Sequence, residues 1–196
     1  MIDYKKTFLQ LAIDAGALQF GDFRLKSGRK SPYFFDASVF FYGNILRDIA
    51  KCYCDAIKAE GLNFDSLLGV AYKGIPLATA VGTALAESGC SVPISFNRKE
   101  KKIHGEGGVF FGATPKGRVL AIDDVLTAGT AILEMIDTFY MSDASLSCVC
   151  VALDRSEISK DSMFTREMLA KSYNLAVVSI VDFDDLLIFL ADSESI

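Results

Sequence analysis

Residues 119–131 read Val-Leu-Ala-Ile-Asp-Asp-Val-Leu-Thr-Ala-Gly-Thr-Ala, and this segment decides the fold. Its apolar start belongs to a predicted strand, 118–122, in which polar and apolar residues do not alternate, as expected when both faces of a strand are covered. Asp123 and Asp124 follow the strand, and a turn of small and hydroxyl residues then opens a helix at Thr130. A buried strand that leads directly into a helix is the repeating unit of parallel α/β sheets.

The same alternation of strand and helix runs through most of the chain. The first 40 residues break the rhythm, since a helix over 3–16 is followed by two short extended stretches between 18 and 36. We therefore expect an α/β fold with a mostly parallel central sheet flanked by helices, in one domain over 1–196, with about 1–40 forming a small cap. The remaining predicted strands are 67–72, 92–96, 146–153 and 175–181, and the remaining predicted helices are 45–57, 76–87, 130–139, 163–172 and 184–190.

Composition excludes several classes of protein. The net charge of −5 argues against a general nucleic-acid binder, which carries a broad basic face. No apolar run approaches the ~20 residues that cross a bilayer, and the charged N-terminus lacks a signal-peptide core, so we expect a cytoplasmic protein with no membrane partner. Five cysteines fit a closed disulfide framework poorly, and with a single histidine they are best interpreted as reduced core residues.

The turn after Asp124 has the features of a phosphate site. Small side chains let backbone N–H groups approach a phosphate, and the N-terminus of the following helix favours its negative charge. Thr127 and Thr130 add hydroxyl donors, while Asp123 and Asp124 suit vicinal ribose hydroxyls or the water shell of Mg²⁺. Simple capping of the helix explains one Asp or Thr but not the whole string, so the sequence favours a sugar-phosphate site.

A second candidate loop, residues 71–76, lies at the end of another apolar strand. Gly74 permits an unusual backbone, and Lys73 is suited to meet a pyrophosphate. Gly69 and Gly74 have the glycine spacing of a P-loop, but the Lys-Ser/Thr pair that should follow is missing. Taken alone, the loop is explained equally well by an exposed lysine in a helix-opening turn.

A third candidate loop, residues 98–108, holds four cationic side chains and the only histidine, His104, and ends in glycines. Such a segment is suited to be a mobile lid that closes over an anionic substrate and excludes water. On charge alone, a solvated hairpin is the better explanation. Each of the three loops follows a strand of the predicted sheet, and ligands of such sheets bind beyond the carboxyl ends of the strands.

Together these segments resemble the type I phosphoribosyltransferases, whose signature string matches residues 119–131. The match narrows to the orotate phosphoribosyltransferases, because 23–35 is similar to their orotate-side segment, 98–108 to their catalytic loop and 153–157 to their second base-contacting segment. After Asp154 and Arg155 the family commonly continues Gln-Glu-Arg-Gly, whereas this chain continues with Ser156, Glu157, Ile158 and Ser159.

The resemblance implies an enzyme that transfers ribose 5-phosphate from phosphoribosyl pyrophosphate (PRPP) to orotate, giving orotidine 5′-monophosphate and pyrophosphate in UMP biosynthesis. It implies Mg²⁺ held by substrate and water, with no direct protein ligand expected. The implied catalytic residues are Lys102, His104, Asp123 and Asp124. Tyr72 and Lys73 form the implied pyrophosphate loop, and Lys26, Phe34, Phe35, Thr127 and Arg155 the orotate site. PRPP is assigned to Lys73, Arg98, Lys99, Lys102, His104, Asp123, Asp124, Val125, Leu126, Thr127, Ala128, Gly129, Thr130 and Ala131.

The resemblance also implies a homodimer in which segment 98–108 reaches the neighbouring site. A mean hydropathy of +0.31 is compatible with apolar surface buried between subunits.

Two alternative functions stay open at this point. A phosphoribosyltransferase for another nucleobase would keep residues 119–131 but should lack Lys26, Phe34, Phe35 and Arg155 as a set. A regulator on the same fold should carry a basic surface or a further DNA-binding domain.

Overall fold

The computed structural model describes residues 1–24, 28, 30–102, 108–139, 143–158 and 162–193, and it leaves out the side chains of 100–102. A six-stranded sheet in the order β5-β4-β3-β6-β7-β8 forms the centre, and every strand is parallel to its neighbours except the edge strand β5. The strands are β3 Ser66–Gly69, β4 Ile94–Lys102, β5 Gly108–Gly112, β6 Arg118–Leu126, β7 Ser145–Asp154 and β8 Ala176–Asp182.

A separate two-stranded antiparallel ribbon precedes this sheet. It consists of β1 Leu18–Arg24 and β2 Lys30–Phe35, and a 3₁₀ turn, Ala37–Phe40, follows it. The ring of Phe8 packs 6.5 Å from that of Phe35 and 6.0 Å from that of Phe40, measured between centroids. These aromatic contacts fix the end of the ribbon on the first helix, so the residues that follow β2 have a defined position above the main sheet.

Helices cover both faces of the sheet, which confirms the expected α/β architecture. The strands supply alternate residues to two cores: Leu120 and Ile122 of β6 face one helical layer, and Val119 and Ala121 face the other. This explains the absence of polar alternation in β6. The first layer contains α1 Asp3–Asp14, α2 Gly43–Ala59, α3 Gly74–Glu87 and α6 Phe183–Ser193, and the second contains α4 Thr130–Phe139 and α5 Thr165–Tyr173.

Three strands end at residues other than those predicted, and each difference changes which element contains the site residues. The strand expected over 118–122 extends to Leu126, because its ladder with β7 continues to the pair of Leu126 and Asp154. Asp123 and Asp124 thus lie inside a strand and not in the turn after it. The strand expected over 92–96 continues to Lys102 because it pairs with β5, whereas the strand expected over 67–72 ends at Gly69.

Close packing of two glycines positions the loop after β3. A Cβ atom on Gly74 would collide with the carbonyl oxygen of Ile122, and one on Gly69 would come within 2.7 Å of the carbonyl oxygen of Gly74. The N-terminus of α3 therefore rests directly on β3 and β6. This contact accounts for the glycine spacing that resembles a P-loop without requiring phosphate chemistry.

None of the helices in the described part of the chain is long and apolar enough to cross a membrane.

Replacement of Gly74 by Ala should destabilise the protein, because a methyl group cannot fit between α3 and the backbone of Ile122. We expect Gly74→Ala to lower the free energy of unfolding by about 1–3 kcal/mol, the usual cost of overpacking. Urea denaturation followed by circular dichroism would measure it. Gly43→Ala, at the start of α2, is the matched control, since nothing lies within 4 Å of the added methyl group. Equal stability of the two variants would contradict the packing argument.

Candidate active site

The candidate site lies where the strand order reverses. The chain leaves β3 toward β4 on one side, and later returns to place β6 on the other side of β3. The loops that follow β3 and β6 therefore diverge around a crevice at the carboxyl ends of these strands, which is the usual ligand position in open α/β sheets. Residues 70–73 and 127–129 form the two loops.

Asp123 and Asp124 are held rigidly at the end of β6. The hydroxyl of Tyr53, a completely buried residue of α2, donates to the carbonyl oxygen of Asp123 at 2.7 Å. The backbone N–H of Asp124 donates to Oδ1 of Asp123 at 2.9 Å. Burial, reinforced by the neighbouring charge of Asp124, raises the pKa of Asp123. The two adjacent carboxyl groups therefore resist carrying two negative charges side by side.

Lys73 joins three segments of the chain. Its Nζ lies 3.2 Å from Oδ2 of Asp124 and 3.0 Å from Oδ1 of Asp36, the residue directly after β2. The pKa of Lys73 is raised because these two carboxylates outweigh its partial burial. One ammonium group therefore connects the loop after β3, strand β6 and the end of the ribbon.

The turn at residues 127–131 joins the end of β6 to the N-terminus of α4. Gly129 has a φ of +76°, which favours glycine, and its carbonyl oxygen accepts hydrogen bonds from the N–H groups of Ile132 and Leu133. The helix α4 starts at Thr130, so the N–H groups of its first turn point toward the crevice end of β6. Val125 and Leu126 belong to β6, and the side chain of Leu126 is buried in the core.

Arg155 follows β7 and approaches the ribbon. Its guanidinium carbon lies 4.4 Å from the centre of the Tyr33 ring, Nη2 donates to Oγ of Ser31 at 3.0 Å, and Nε lies 3.4 Å from a carboxylate oxygen of Glu157. The side chain of Arg155 is only 9% exposed, so its pair with Glu157 is not a surface ion pair. It lines a cleft of about 330 Å³ together with Tyr33.

Phe34 and Phe35 lie on opposite faces of β2, because successive residues of a strand alternate. Phe34 is 40% exposed, with its ring 5.6 Å from that of Phe23. The ring of Phe35 packs against Phe8 and Phe40 in the core. The structure therefore does not bring the two rings together as one apolar wall.

The basic segment starts as part of β4. The guanidinium carbon of Arg98 lies 4.7 Å over the Phe111 ring, and Nζ of Lys99 lies 5.4 Å over the ring of Tyr72, which is 69% exposed. Lys99 is thus beside the loop after β3. Within the described part of the chain, Nε of Arg98 is buried with no hydrogen-bond partner. Lys26, His104 and the side chain of Lys102 lie outside the described residues.

Three residues that the sequence did not single out hold the site in place. Tyr53 and Asp36 make the contacts given above, and Oδ1 of the buried Asn97 accepts a hydrogen bond from the N–H of Ala71 at 2.6 Å. The peptide bond between Ala71 and Tyr72 is cis. Asn97 could have been recognised in the sequence as a polar residue that directly follows the apolar stretch 92–96. Asp36, next to the two phenylalanines, offered a comparable signal.

The site's own side chains do not form a metal cage. Among the described residues, no group of three or more His, Cys, Asp or Glu side chains is placed to hold a metal ion. Asp123 and Asp124 offer carboxyl oxygens at the crevice end of β6. This donor set fits Mg²⁺ that keeps most of its ligands from substrate and water.

Comparison with known proteins agrees with this geometry. The model of the phosphoribosyl transferase domain matches residues 42–184. The orotate phosphoribosyltransferase of Actinobacillus pleuropneumoniae serotype 5b (strain L20) is 48% identical over 195 residues, which are 99% of this chain and 92% of that protein. The enzyme of the same name from Xanthomonas axonopodis pv. citri (strain 306) is 50% identical over 194 residues, or 97% of this chain and 89% of that protein.

A solved structure shows the same similarity in three dimensions. The crystal structure of orotate phosphoribosyltransferase from Francisella tularensis superposes with a TM-score of 0.85 at 37% sequence identity, covering 95% of this chain and 90% of that one. The domain match, the near full-length identity and the shared fold lead to one conclusion. The chain belongs to the orotate phosphoribosyltransferase branch of the phosphoribosyltransferase family.

Proposed function

We propose that this protein transfers the 5-phosphoribosyl group from PRPP to orotate, forming orotidine 5′-monophosphate and pyrophosphate in UMP biosynthesis. The observation that carries the proposal is the convergence of Lys73 and Asp124, 3.2 Å apart, beside the anion-binding turn that opens α4. A cation for the pyrophosphate, carboxyl groups for the ribose and helix N–H groups for the 5′-phosphate are thereby available in one crevice.

The sugar phosphate is held by β6 and its turn. The 5′-phosphate binds at residues 127–131, where Gly129 allows the backbone to approach it closely. The ribose hydroxyls bind the carboxyl groups of Asp123 and Asp124, and burial beside Asp124 raises the pKa of Asp123. Fixing the ring in this way orients the anomeric carbon toward the base.

The reaction breaks the bond between the anomeric carbon and the pyrophosphate oxygen and forms a bond to N1 of orotate, whose proton passes to the departing pyrophosphate or to water. Negative charge develops on the departing pyrophosphate. Lys73 and Lys99 lie at the edge of the crevice. Arg98 and Lys102 belong to β4, the strand that also contains Lys99, and His104 follows that strand in the sequence. Loss of one such charge-stabilising contact typically costs about 10²–10³ in rate. Mg²⁺ held by substrate and water beside Asp123 and Asp124 would supply further neutralisation of this charge.

Orotate is recognised from the ribbon side of the crevice. Arg155 offers a planar fork of N–H donors to a carboxylate or ring carbonyl, and its stacking on Tyr33 together with its contacts to Ser31 and Glu157 preorganises that fork. Lys26, Thr127 and the backbone at Phe34 and Phe35 complete the proposed base site. An anionic base is favoured over a neutral purine because the recognising group is a permanent cation.

The five cysteines are all free thiols in the structure. Free thiols are typical of reducing compartments, which supports our proposal that the enzyme acts in the cytoplasm.

We also propose that the enzyme is a homodimer in which segment 98–108 of one subunit completes the site of the other. Exposed apolar side chains, such as Tyr42 and Tyr72 at 69% each, are available for an interface.

The substrate proposal is tested with a panel of bases. Purified protein incubated with PRPP and Mg²⁺ should consume orotate and form its nucleotide, while uracil, adenine and hypoxanthine react far more slowly. Removal of Mg²⁺ with a chelator should stop the reaction. Chromatography of the nucleotides measures the outcome. Turnover of a purine but not of orotate would contradict the proposal.

Phosphate and base recognition should separate on mutation. Thr127→Val should raise the KM for PRPP about five-fold through loss of a hydroxyl donor, and Arg155→Ala should raise the KM for orotate about ten- to hundred-fold through loss of a charged donor. Gly129→Val would be less informative, because its Cβ comes within 2.9 Å of Thr165 at a positive φ.

Matched controls for this experiment are available far from the crevice. Thr138→Val removes an exposed hydroxyl that donates to the Glu134 carbonyl in α4, and Arg118→Ala removes an exposed partner of Asp65 at the opposite end of β6. Both should leave the two KM values unchanged. If Thr127→Val and Arg155→Ala shift only the same KM, the assignment of roles is wrong.

A shared site would appear in mixtures of inactive variants. Lys102→Ala should disable the basic segment, and Asp124→Asn should disable the ribose site. In a heterodimer, one site would combine an intact segment with an intact ribose site, so co-refolded heterodimers should recover up to about half of a normal dimer's activity. The alternative is a segment that serves its own subunit, where Lys99 already contacts Tyr72.

The control for that mixture is the same pair of variants kept folded at high concentration, which should stay inactive until subunits exchange. Heterodimers identified by native mass spectrometry with no activity above the parent variants would exclude sharing between subunits.

A further inference from the structure

Asp36 is a charged residue of the site to which the reaction gives no obvious task. Its Oδ1 lies 3.0 Å from Nζ of Lys73, slightly closer than the carboxylate of Asp124 at 3.2 Å. The side chains of Asp36 and Lys73 are 37% and 40% exposed, whereas that of Asp124 is 11% exposed. Lys73 therefore has one buried acidic partner and one at the open edge of the crevice.

The position of Asp36 is fixed by contacts that do not involve Lys73. Its backbone N–H donates to the carbonyl oxygen of Ala17 at 2.8 Å, at the start of the ribbon. Its carboxylate accepts hydrogen bonds from the N–H of Ser38 at 3.0 Å and from the Ser38 hydroxyl at 2.7 Å. These hydrogen bonds, with Lys73 contributing, lower the pKa of Asp36 to about 2. The group is thus a fixed anion at every physiological pH.

We infer that Asp36 is a positioning residue that competes with the diphosphate group of substrate and product for the ammonium group of Lys73. The inference rests on the proposed function, since it needs Lys73 to meet a diphosphate. In the free enzyme, Asp36 and Asp124 hold Lys73 between them at the crevice. When a diphosphate enters, its oxygens replace the carboxylate of Asp36, while Asp124 keeps Lys73 beside the ribose.

The direction of the effect follows from the two partners of Lys73. Loss of the charge on Asp36 leaves the ion pair with Asp124, so Lys73 stays at the crevice and is freed from one competing anion. A diphosphate carries several negative charges, and to reach Lys73 it must displace the carboxylate of Asp36, which lies 3.0 Å from Nζ of Lys73. Competition with a fixed carboxylate therefore weakens diphosphate binding and eases its release.

Asp36 also has a structural task, and the choice of variant separates the two. Asn at position 36 retains an oxygen that accepts from Ser38, so the turn after β2 keeps its cap while the charge is lost. Glu at this position keeps the charge on a longer side chain. The first variant tests the charge, and the second should restore the competition.

The experiment is isothermal titration of Mg²⁺-pyrophosphate, PRPP and orotate into wild type, Asp36→Asn and Asp36→Glu. We expect Asp36→Asn to bind pyrophosphate and PRPP about three- to ten-fold more tightly, somewhat more than one exposed ion pair provides because the ligand is multiply charged. The Kd for orotate should not change. The gain should shrink as salt is raised, and Asp36→Glu should bind as wild type does.

Asp48→Asn is the matched control. Asp48 is a partly exposed carboxylate of α2 that also pairs with two cations, Arg47 and Lys51, and its pKa is likewise lowered to about 2. Removal of its charge should leave diphosphate affinity unchanged. A gain of the same size in this control would mean that net charge alone is responsible, which would overturn the inference.

A Lys73→Met background tests whether Asp36 acts through Lys73. Without an ammonium group to release, Asp36→Asn should gain less affinity for pyrophosphate than it does in wild type. An equal gain in that background, or unchanged or weaker binding by Asp36→Asn itself, would overturn the inference while wild type still converts orotate. Failure of wild type to convert orotate would instead reject the proposed function, and the inference with it.

Discussion

The pairing of β3 with β6 is the constraint on which the site depends. Their parallel ladder runs from the pair of Ser66 and Val119 to that of Gly69 and Ile122, so β3 ends one residue before the level of Asp123 in β6. Gly69 and Gly74 then allow α3 to start directly against this ladder. Because the close approach fixes where the loop after β3 can go, Lys73 reaches Asp124 without a long or flexible connection.

Charge at the site is balanced by burial as much as by pairing. Three carboxyl groups and one ammonium group meet between β6, the loop after β3 and the end of the ribbon. Burial raises the pKa of Asp123, which disfavours a second negative charge beside Asp124, and both Asp124 and Asp36 pair with Lys73. The arrangement holds the ammonium group of Lys73 at the crevice at a modest electrostatic cost, because Asp36 and Lys73 remain partly exposed.

Local sequence patterns predicted the turn at 127–131 and the loop at 71–76 because small residues, hydroxyls and glycines act through backbone geometry. The same patterns misjudged where strands end. Asp123 and Asp124 look like turn residues, yet the ladder with β7 keeps them extended to Leu126, and the basic run after Asn97 pairs with β5. Hydrogen bonding to a neighbouring strand overrides local preference, and the partner is not visible in the segment itself.

By itself, the sequence determined the alternation of strands and helices, the turn of small and hydroxyl residues at 127–131 and the set of residue types that mark the family, since each is written within a few consecutive residues. Only the tertiary structure decided which of those residues meet. Asp36 and Lys73 are 37 positions apart, Tyr53 and Asp123 are 70 apart, and Arg155 and Ser31 are 124 apart. Such contacts depend on strand order and on the path of each connection, and Phe34 and Phe35, adjacent in sequence, are separated by the pleat of a strand.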